Sequence, residues 1–235
     1  MKLHLVRRPD VLLACAITLL FALWPQIDLT VATWFYVPGS GFSAWRTWWV
    51  NVTYLIVARF WVLALLLFAF LLLSLLPRFR QPWRQRRTAA GYLLAVLLLG
   101  PGLLVNTVLK NHWGRPRPVH LEQFGGTTKF TPALQPSTRC ATNCAFVSGH
   151  AAAAFYLMAG YWVTRQRRYL VAGIGFGLFV GFVRMAMGAH FLSDVLFAGL
   201  IVYACCIALA PLFFRSKLVV LPARTRCQHA PCLPD

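Results

Sequence analysis

Acidic side chains are scarce in this chain: five Asp and Glu stand against 23 Lys and Arg in 235 residues. Charged residues of both signs make up only 12%, well under the roughly 25% of an ordinary soluble domain, which excludes that class. A proton-coupled transport path wants a relay of buried acids, yet Asp194 is the sole acid between Glu122 and Asp235. Internal repeats and low-complexity segments are also missing, so a transporter built from duplicated halves gains no support. Zinc spacing is absent as well. Cys227, His229 and Cys232 in a Pro-containing tail match no strong zinc pattern, and Cys15, Cys205 and Cys206 fall in apolar runs as small inert residues.

What the chain has instead is apolar length, with 59% hydrophobic residues. About 20 apolar residues in helical form cross a bilayer, because each backbone polar group is then satisfied within its own segment. The runs predict an all-α integral membrane bundle of six transmembrane helices in one domain, residues 1–235. Helix one covers about 11–25; its basic start resembles a signal peptide, but no small-residue cleavage site follows clearly. Residues 28–51, with Trp34, Trp45, Trp48 and Trp49, are expected along the outer surface at the lipid–water boundary. Helix two begins between 52 and 60 and ends at 76, leaving Arg59 at or just inside the bilayer edge. Helix three covers about 88–109 and should bend at Gly100, Pro101 and Gly102, since proline removes a helix hydrogen bond. A polar loop, 110–146, leads to helix four at 148–164, helix five at 169–187, a tight bend at Gly188 and helix six at 191–214.

The basic residues fall in short clusters between these runs, not along one soluble face, so nucleic acid is not the expected partner. Positive charge stays on the cytoplasmic side. That rule puts Arg78, Arg80, Arg84, Arg86 and Arg87, then Arg165, Arg167 and Arg168, and both termini, inside. It leaves Arg46, Arg59, Lys110, Arg115, Arg117, Lys129, Arg139 and Arg184 at or beyond the outer ends of helices, where something anionic must account for them. The 110–146 loop is then extracytoplasmic, and Cys140 with Cys144 is expected to staple it by a disulfide.

Three motifs converge on that outer face. KNHWGRPRP, 110–118, offers Lys110, Arg115 and Arg117 on a stretch that Gly114, Pro116 and Pro118 keep from continuing as helix. Arginine's planar fork holds two phosphate oxygens and lysine adds a point charge, although a basic loop against lipid head groups has the same composition. FVSGH, 146–150, opens helix four with Ser148 as N-cap, Gly149 for close backbone approach and His150 as a proton-transfer group. A plain helix start with an interfacial histidine would read the same way. VRMAMGAHFLSDV, 183–195, spaces His190 and Asp194 four apart, on one helical face, with Arg184 brought round by the break at Gly188. The competing assignment is a structural Arg184–Asp194 ion pair.

Together these residues resemble the type 2 phosphatidic acid phosphatase superfamily, which includes bacterial lipid phosphatases and vanadium haloperoxidases. Its pattern is Lys, six residues, Arg-Pro; then Pro-Ser-Gly-His; then Ser-Arg, five residues, His, three residues, Asp. Lys110, Arg117-Pro118, Ser148-Gly149-His150, Arg184, His190 and Asp194 follow it in order and spacing, with Val147 in place of Pro and Val183 in place of Ser. The Cys-x-x-x-Cys-x-Phe-Val-Ser-Gly stretch is similar to a subgroup containing lipid A phosphatases.

The resemblance implies a metal-independent lipid phosphatase without a cofactor. His190 would be the nucleophile, Asp194 its orienting carboxylate, and His150 the acid and then base. Lys110, Arg117, Ser148, Gly149 and Arg184 would hold the phosphate, with Arg115 and Arg59 as head-group contacts. The expected partners are the bilayer and a phosphorylated lipid, with the site on the periplasmic face of a bacterial inner membrane. Lipid A is the favoured substrate because the long loop could cover a bulky sugar. Undecaprenyl pyrophosphate and phosphatidylglycerol phosphate are the enzyme alternatives, and a lipid transporter or scaffold is the non-enzyme one.

Overall fold

A computed structural model of the chain describes residues 9–76 and 84–214. Arg78 and Arg80, both termini, and the tail residues Cys227, His229 and Cys232 lie outside the described residues. The helices are α1 (Pro9–Leu23), α2 (Ile27–Thr33), α3 (Trp48–Ala58), α4 (Phe60–Leu73), α5 (Arg84–Leu97), α6 (Lys110–His112), α7 (Gly149–Phe155), α8 (Gly160–Thr164), α9 (Arg167–Ala186) and α10 (Leu192–Phe213). Extended pairing among the described residues is limited to the isolated bridges Val37–Gly41 and Leu121–Thr128.

Among the described residues, four helical spans are long and apolar enough to cross a membrane: Trp48–Leu73, Gln85–His112, Arg167–Ala186 and Leu192–Phe213. Counting α1 and α2, which meet at 83°, as one broken span adds a fifth. This is a membrane protein. Residues 149–164 are helical as expected, but a 3-10 stretch, Tyr156–Ala159, interrupts them.

Helix two starts earlier than the apolar run indicated, at Trp48, and breaks at Arg59, whose side chain is exposed between α3 and α4. The disturbance expected at Gly100-Pro101-Gly102 takes the form of a π-helical stretch, Leu98–Leu109, in place of a plain kink. Pro101 has no N–H to give, and the wider turn leaves carbonyls that side chains satisfy: Asn106 Nδ2 donates to the Pro101 carbonyl at 2.7 Å, and Thr107 Oγ1 to Gly102 at 3.2 Å.

The core gathers Phe21, Tyr92, Val96, Leu97, Val105, Phe146, Val147, Phe155, Val195, Phe197 and Val202 from α1, α5, the 98–109 stretch, α7, α10 and the loop before α7. Gly173 and Gly177 let α9 approach the 155–158 segment closely, since a Cβ at either would collide with Met158 or Phe155. A second cluster, Ala32, Phe42, Leu121, Phe124, Ala145 and Phe191, ties α2 to the long loop above the bundle.

The 28–51 stretch does not simply lie on the surface. Its first residue, Asp28, is completely buried, because α2 turns back into the bundle.

Candidate active site

Backbone hydrogen bonds stitch the three motifs to one another. The Cys144 N–H donates to the Lys110 carbonyl at 3.0 Å and the Ala145 N–H to that of Arg115 at 2.8 Å, joining the first motif to the approach of the second. Ser148 N–H donates to the Asp194 carbonyl at 3.1 Å, joining second to third, and Val119 N–H to Gly188 at 3.0 Å, joining third back to first. Residues far apart in sequence thereby share one end of the bundle.

Each motif bends where its sequence allows. Gly188 has φ +64°, a conformation that costs little only without a Cβ, and it lets the chain leave α9 so that Arg184 and His190 face the same space. Gly149 packs so closely on Asn106 that a Cβ there would collide with the amide oxygen. Ser148 caps α7, its hydroxyl accepting from the Ala151 N–H at 3.4 Å.

His190 is buried, and its Nδ1 lies 2.8 Å from the Ala145 carbonyl. A carbonyl can only accept, so Nδ1 carries the proton and Nε2 is left with a bare lone pair. That Nε2 is buried without a hydrogen-bond partner. Burial first, and then Arg184, Lys110 and Arg117 nearby, push the His190 pKa well below the usual imidazole value, against the opposing pull of the Ala145 bond. The imidazole is therefore neutral at physiological pH.

Asp194 reaches His190 Nδ1 only at 3.7 Å, so it does not supply the direct hydrogen bond expected from the four-residue spacing. Its Oδ2 instead accepts from the Phe191 N–H at 2.8 Å, and Oδ1 is ion-paired with Arg115. The Arg184–Asp194 pair is not formed. Arg184 lies buried with Nη1 3.2 Å from Met187 Sδ and its Nε unpartnered.

Arg115 differs most from expectation. Its side chain is fully enclosed and cannot meet a head group. Nε donates to the Thr131 carbonyl at 2.9 Å, Nη1 to Ser193 Oγ at 2.8 Å and to Asp194, and Nη2 to Asp28 at 2.7 Å. Asp28 also accepts from the Ser193 N–H at 2.9 Å and from its hydroxyl. The two arginines that sequence placed together on one basic loop thus divide: Arg115 turns inward, while Arg117, half-buried, donates Nε and Nη2 to the Asn143 carbonyl at 3.2 and 2.8 Å.

Lys110, Gly149 and His150 line a cavity of about 100 Å³ with Asn106 and with Val57, Ala58 and Phe60 from the α3–α4 break. Arg59 is beside it in sequence but points outward, away from that lining. The His150 ring stacks on Tyr54 of α3 with centroids 4.6 Å apart, and its Nε2 has no partner. Cys140 and Cys144 are disulfide-bonded, as the loop's composition led us to expect. Among the described residues, no group of three or more His, Cys, Asp or Glu is placed to hold a metal ion.

The motifs did not contain Asp28, Tyr54 or Asn106, and Ser193, although inside the third motif, was not among the residues singled out there. Asp28 had a signal, as one of so few acids; Tyr54 had none among the many aromatics.

The PAP2 superfamily profile matches residues 88–218. The chain is 35% identical over 212 residues to a lipid A 4′-phosphatase of Francisella tularensis subsp. novicida (strain U112), covering 84% of this chain and 90% of that one. It is 43% identical over 122 residues to a lipid A 4′-phosphatase of Rhizobium leguminosarum and 42% over 134 residues to one of Rhizobium etli (strain ATCC 51251 / DSM 11541 / JCM 21823 / NBRC 15573 / CFN 42). Those matches cover 49% and 54% of this chain and span about half of each relative, 52% and 51%. No solved structure gives a significant match to this chain.

Proposed function

The chain belongs to the PAP2 superfamily and is a phosphatase, and from that premise we propose that it hydrolyses the 4′-phosphomonoester of lipid A through a phosphohistidine on His190, without a metal. The observation that carries the mechanism is the His190 Nε2 lone pair, buried, unpartnered and surrounded by Lys110, Arg117 and Arg184. Such a nitrogen is a nucleophile waiting for an anion.

Phosphate held by the three cations, with Ser148 and the Gly149 N–H, presents phosphorus to His190 Nε2. The N–P bond forms as the P–O bond to the sugar breaks, and His150 gives its proton to the leaving oxygen. Water then attacks phosphorus, His150 takes its proton, and the N–P bond breaks to release inorganic phosphate. The Ala145 carbonyl holds the Nδ1 proton throughout, with Asp194 at 3.7 Å stabilising the charge that develops on the ring. Arg115 belongs beneath the site, and Arg59 is an exposed cation available to a head group.

The relatives' substrate supports lipid A, and the long disulfide-tied loop provides an outer surface for its sugars. A disulfide persists in an oxidising compartment, which favours the periplasmic face of the inner membrane, with both termini cytoplasmic. On this reading the bent α1–α2 pair and residues 149–164 complete six spans.

The test is inorganic phosphate release by purified protein from lipid A, undecaprenyl pyrophosphate, phosphatidylglycerol phosphate and phosphatidic acid, with His190→Ala alongside. Lipid A should be turned over fastest, losing its 4′-phosphate, and His190→Ala should be inactive. Full turnover by a well-folded His190→Ala protein refutes the nucleophile; preference for another lipid refutes the substrate.

A further inference from the structure

Tyr54 lies on α3, outside the three motifs and outside the segment that the superfamily profile matches. Its ring nevertheless touches two of the groups to which the mechanism above gives work. The His150 imidazole is stacked on it, centroids 4.6 Å apart and planes inclined by 21°. The Arg184 guanidinium carbon is 4.9 Å from the same centroid.

Both partners need such a support. Arg184 Nε and His150 Nε2 are buried with no hydrogen-bond partner. The carboxylate of the third motif, Asp194, is already taken by Arg115 and the Phe191 N–H. Arg117 is close enough to repel both groups, as is Lys110. An unsupported guanidinium in such company would rotate away from the other cations. An aromatic face counters this, because its electron-rich centre attracts the guanidinium and its flat surface fixes the plane of a stacked imidazole.

We propose that Tyr54 is a positioning residue of this site, its ring holding His150 and Arg184 in the orientation that the phosphoryl group meets. The inference rests on the roles proposed above for those two residues. It assigns the work to the ring, not to the phenol oxygen, and so makes a sharp distinction between substitutions.

Turnover of lipid A should be measured for Tyr54→Phe and Tyr54→Leu, with Tyr54→Met as a second ring-less variant of flexible shape and His150→Ala as a reference. Phe should keep kcat within about twofold, while the ring-less variants should lose about 10- to 100-fold in kcat with KM nearly unchanged, the size expected when a reacting group is misplaced by about 1 Å. Thermal unfolding in detergent identifies the ring-less variant that melts with the wild type, and that variant is decisive. Combining it with His150→Ala should cost less than the product of the separate losses, since part of its effect passes through His150. Wild-type kcat in a folded ring-less variant, an equal loss in Tyr54→Phe, or a loss confined to KM would each overturn the proposal. Should His150→Ala keep full activity, the fault lies with the catalytic roles and not with Tyr54 alone.

Discussion

Arg115 and Asp194 form an ion pair with no solvent exposure, and the same guanidinium holds Asp28 through its other terminal nitrogen. The pair joins the first motif to the third and fastens both to α2. Breaking a buried pair by removing one partner leaves charge uncompensated and typically costs about 3–5 kcal/mol. Here one deletion strands two carboxylates. Arg115→Ala should therefore lower the melting temperature in detergent by many degrees and reduce the yield of monodisperse protein, whereas Arg117→Ala, at a half-buried side chain, should melt near wild type while losing activity. Equal melting of both variants would contradict this division.

Asp194 is expected to matter less to chemistry than the resemblance implies. In a Ser-His-Asp triad, replacing the aspartate by asparagine costs about 10⁴ in turnover, because the histidine then adopts the wrong tautomer. Here the Ala145 carbonyl fixes the tautomer. Asp194→Asn should lower kcat by about 10- to 100-fold, clearly less than the loss of at least about 10³-fold expected for His190→Ala. Parallel kinetics on the two variants decide the point; indistinguishable losses would restore the carboxylate to the central role.

How much of this was legible beforehand depended on contrast. Lys110, Arg117, His150, Arg184, His190 and Asp194 stood out because ionisable groups are costly in apolar surroundings and so are seldom there without a use. Four of the expected spans, the second, third, fifth and sixth, were readable for the same reason, as long runs lacking charge. Arg115 and Arg117 could not be told apart, because Gly114, Pro116 and Pro118 destroy the periodicity that would have shown which one faces inward. The partner of His190 was hidden because it is a backbone carbonyl, a group every residue carries. Asp28 was misplaced because a short run after Pro25 reads as an interfacial stretch, and only the 83° turn between α1 and α2 returns it to the interior.

Close packing at Gly149 yields a steric prediction. A methyl group there meets the Asn106 amide oxygen, which is tethered because Asn106 Nδ2 donates to the Pro101 carbonyl. Gly149→Ala should therefore displace the start of α7, carrying Ser148 and His150 with it, and reduce kcat about 100-fold. Shortening the neighbour should relieve the collision, so the double variant Gly149→Ala, Asn106→Ser should recover part of that loss. Failure of the double variant to exceed Gly149→Ala would show that the contact with Asn106 is not the cause.

Metal removal separates the histidine mechanism from a two-metal one. The proposed site stabilises phosphoryl oxygens with Lys110, Arg117 and Arg184, a task that paired metal ions perform elsewhere. Dialysis against EDTA should leave turnover within about twofold of its starting value, and vanadate should inhibit by occupying the place of five-coordinate phosphorus. Loss of activity in EDTA with recovery on adding a divalent cation would remove the metal-independent assignment.

His190 also makes a prediction about stability against pH. Burial and the neighbouring cations hold its folded pKa well below the ordinary value of 6.5. Between those two values the unfolded chain takes up a proton that the native protein refuses, so acid favours unfolding. The stability contributed by a neutral His190 is complete above about pH 6.5 and drains away as the pH falls towards the folded pKa. Other histidines titrate in the same range, so the informative quantity is a difference between proteins. Melting temperatures in detergent at about pH 7.5, 6.5, 5.5 and 4.5 should fall more steeply for wild type than for His190→Gln, which has no proton to gain. Parallel curves would mean that the native protein protonates His190 as readily as the unfolded chain does, so that burial and the neighbouring cations do not keep its Nε2 lone pair free.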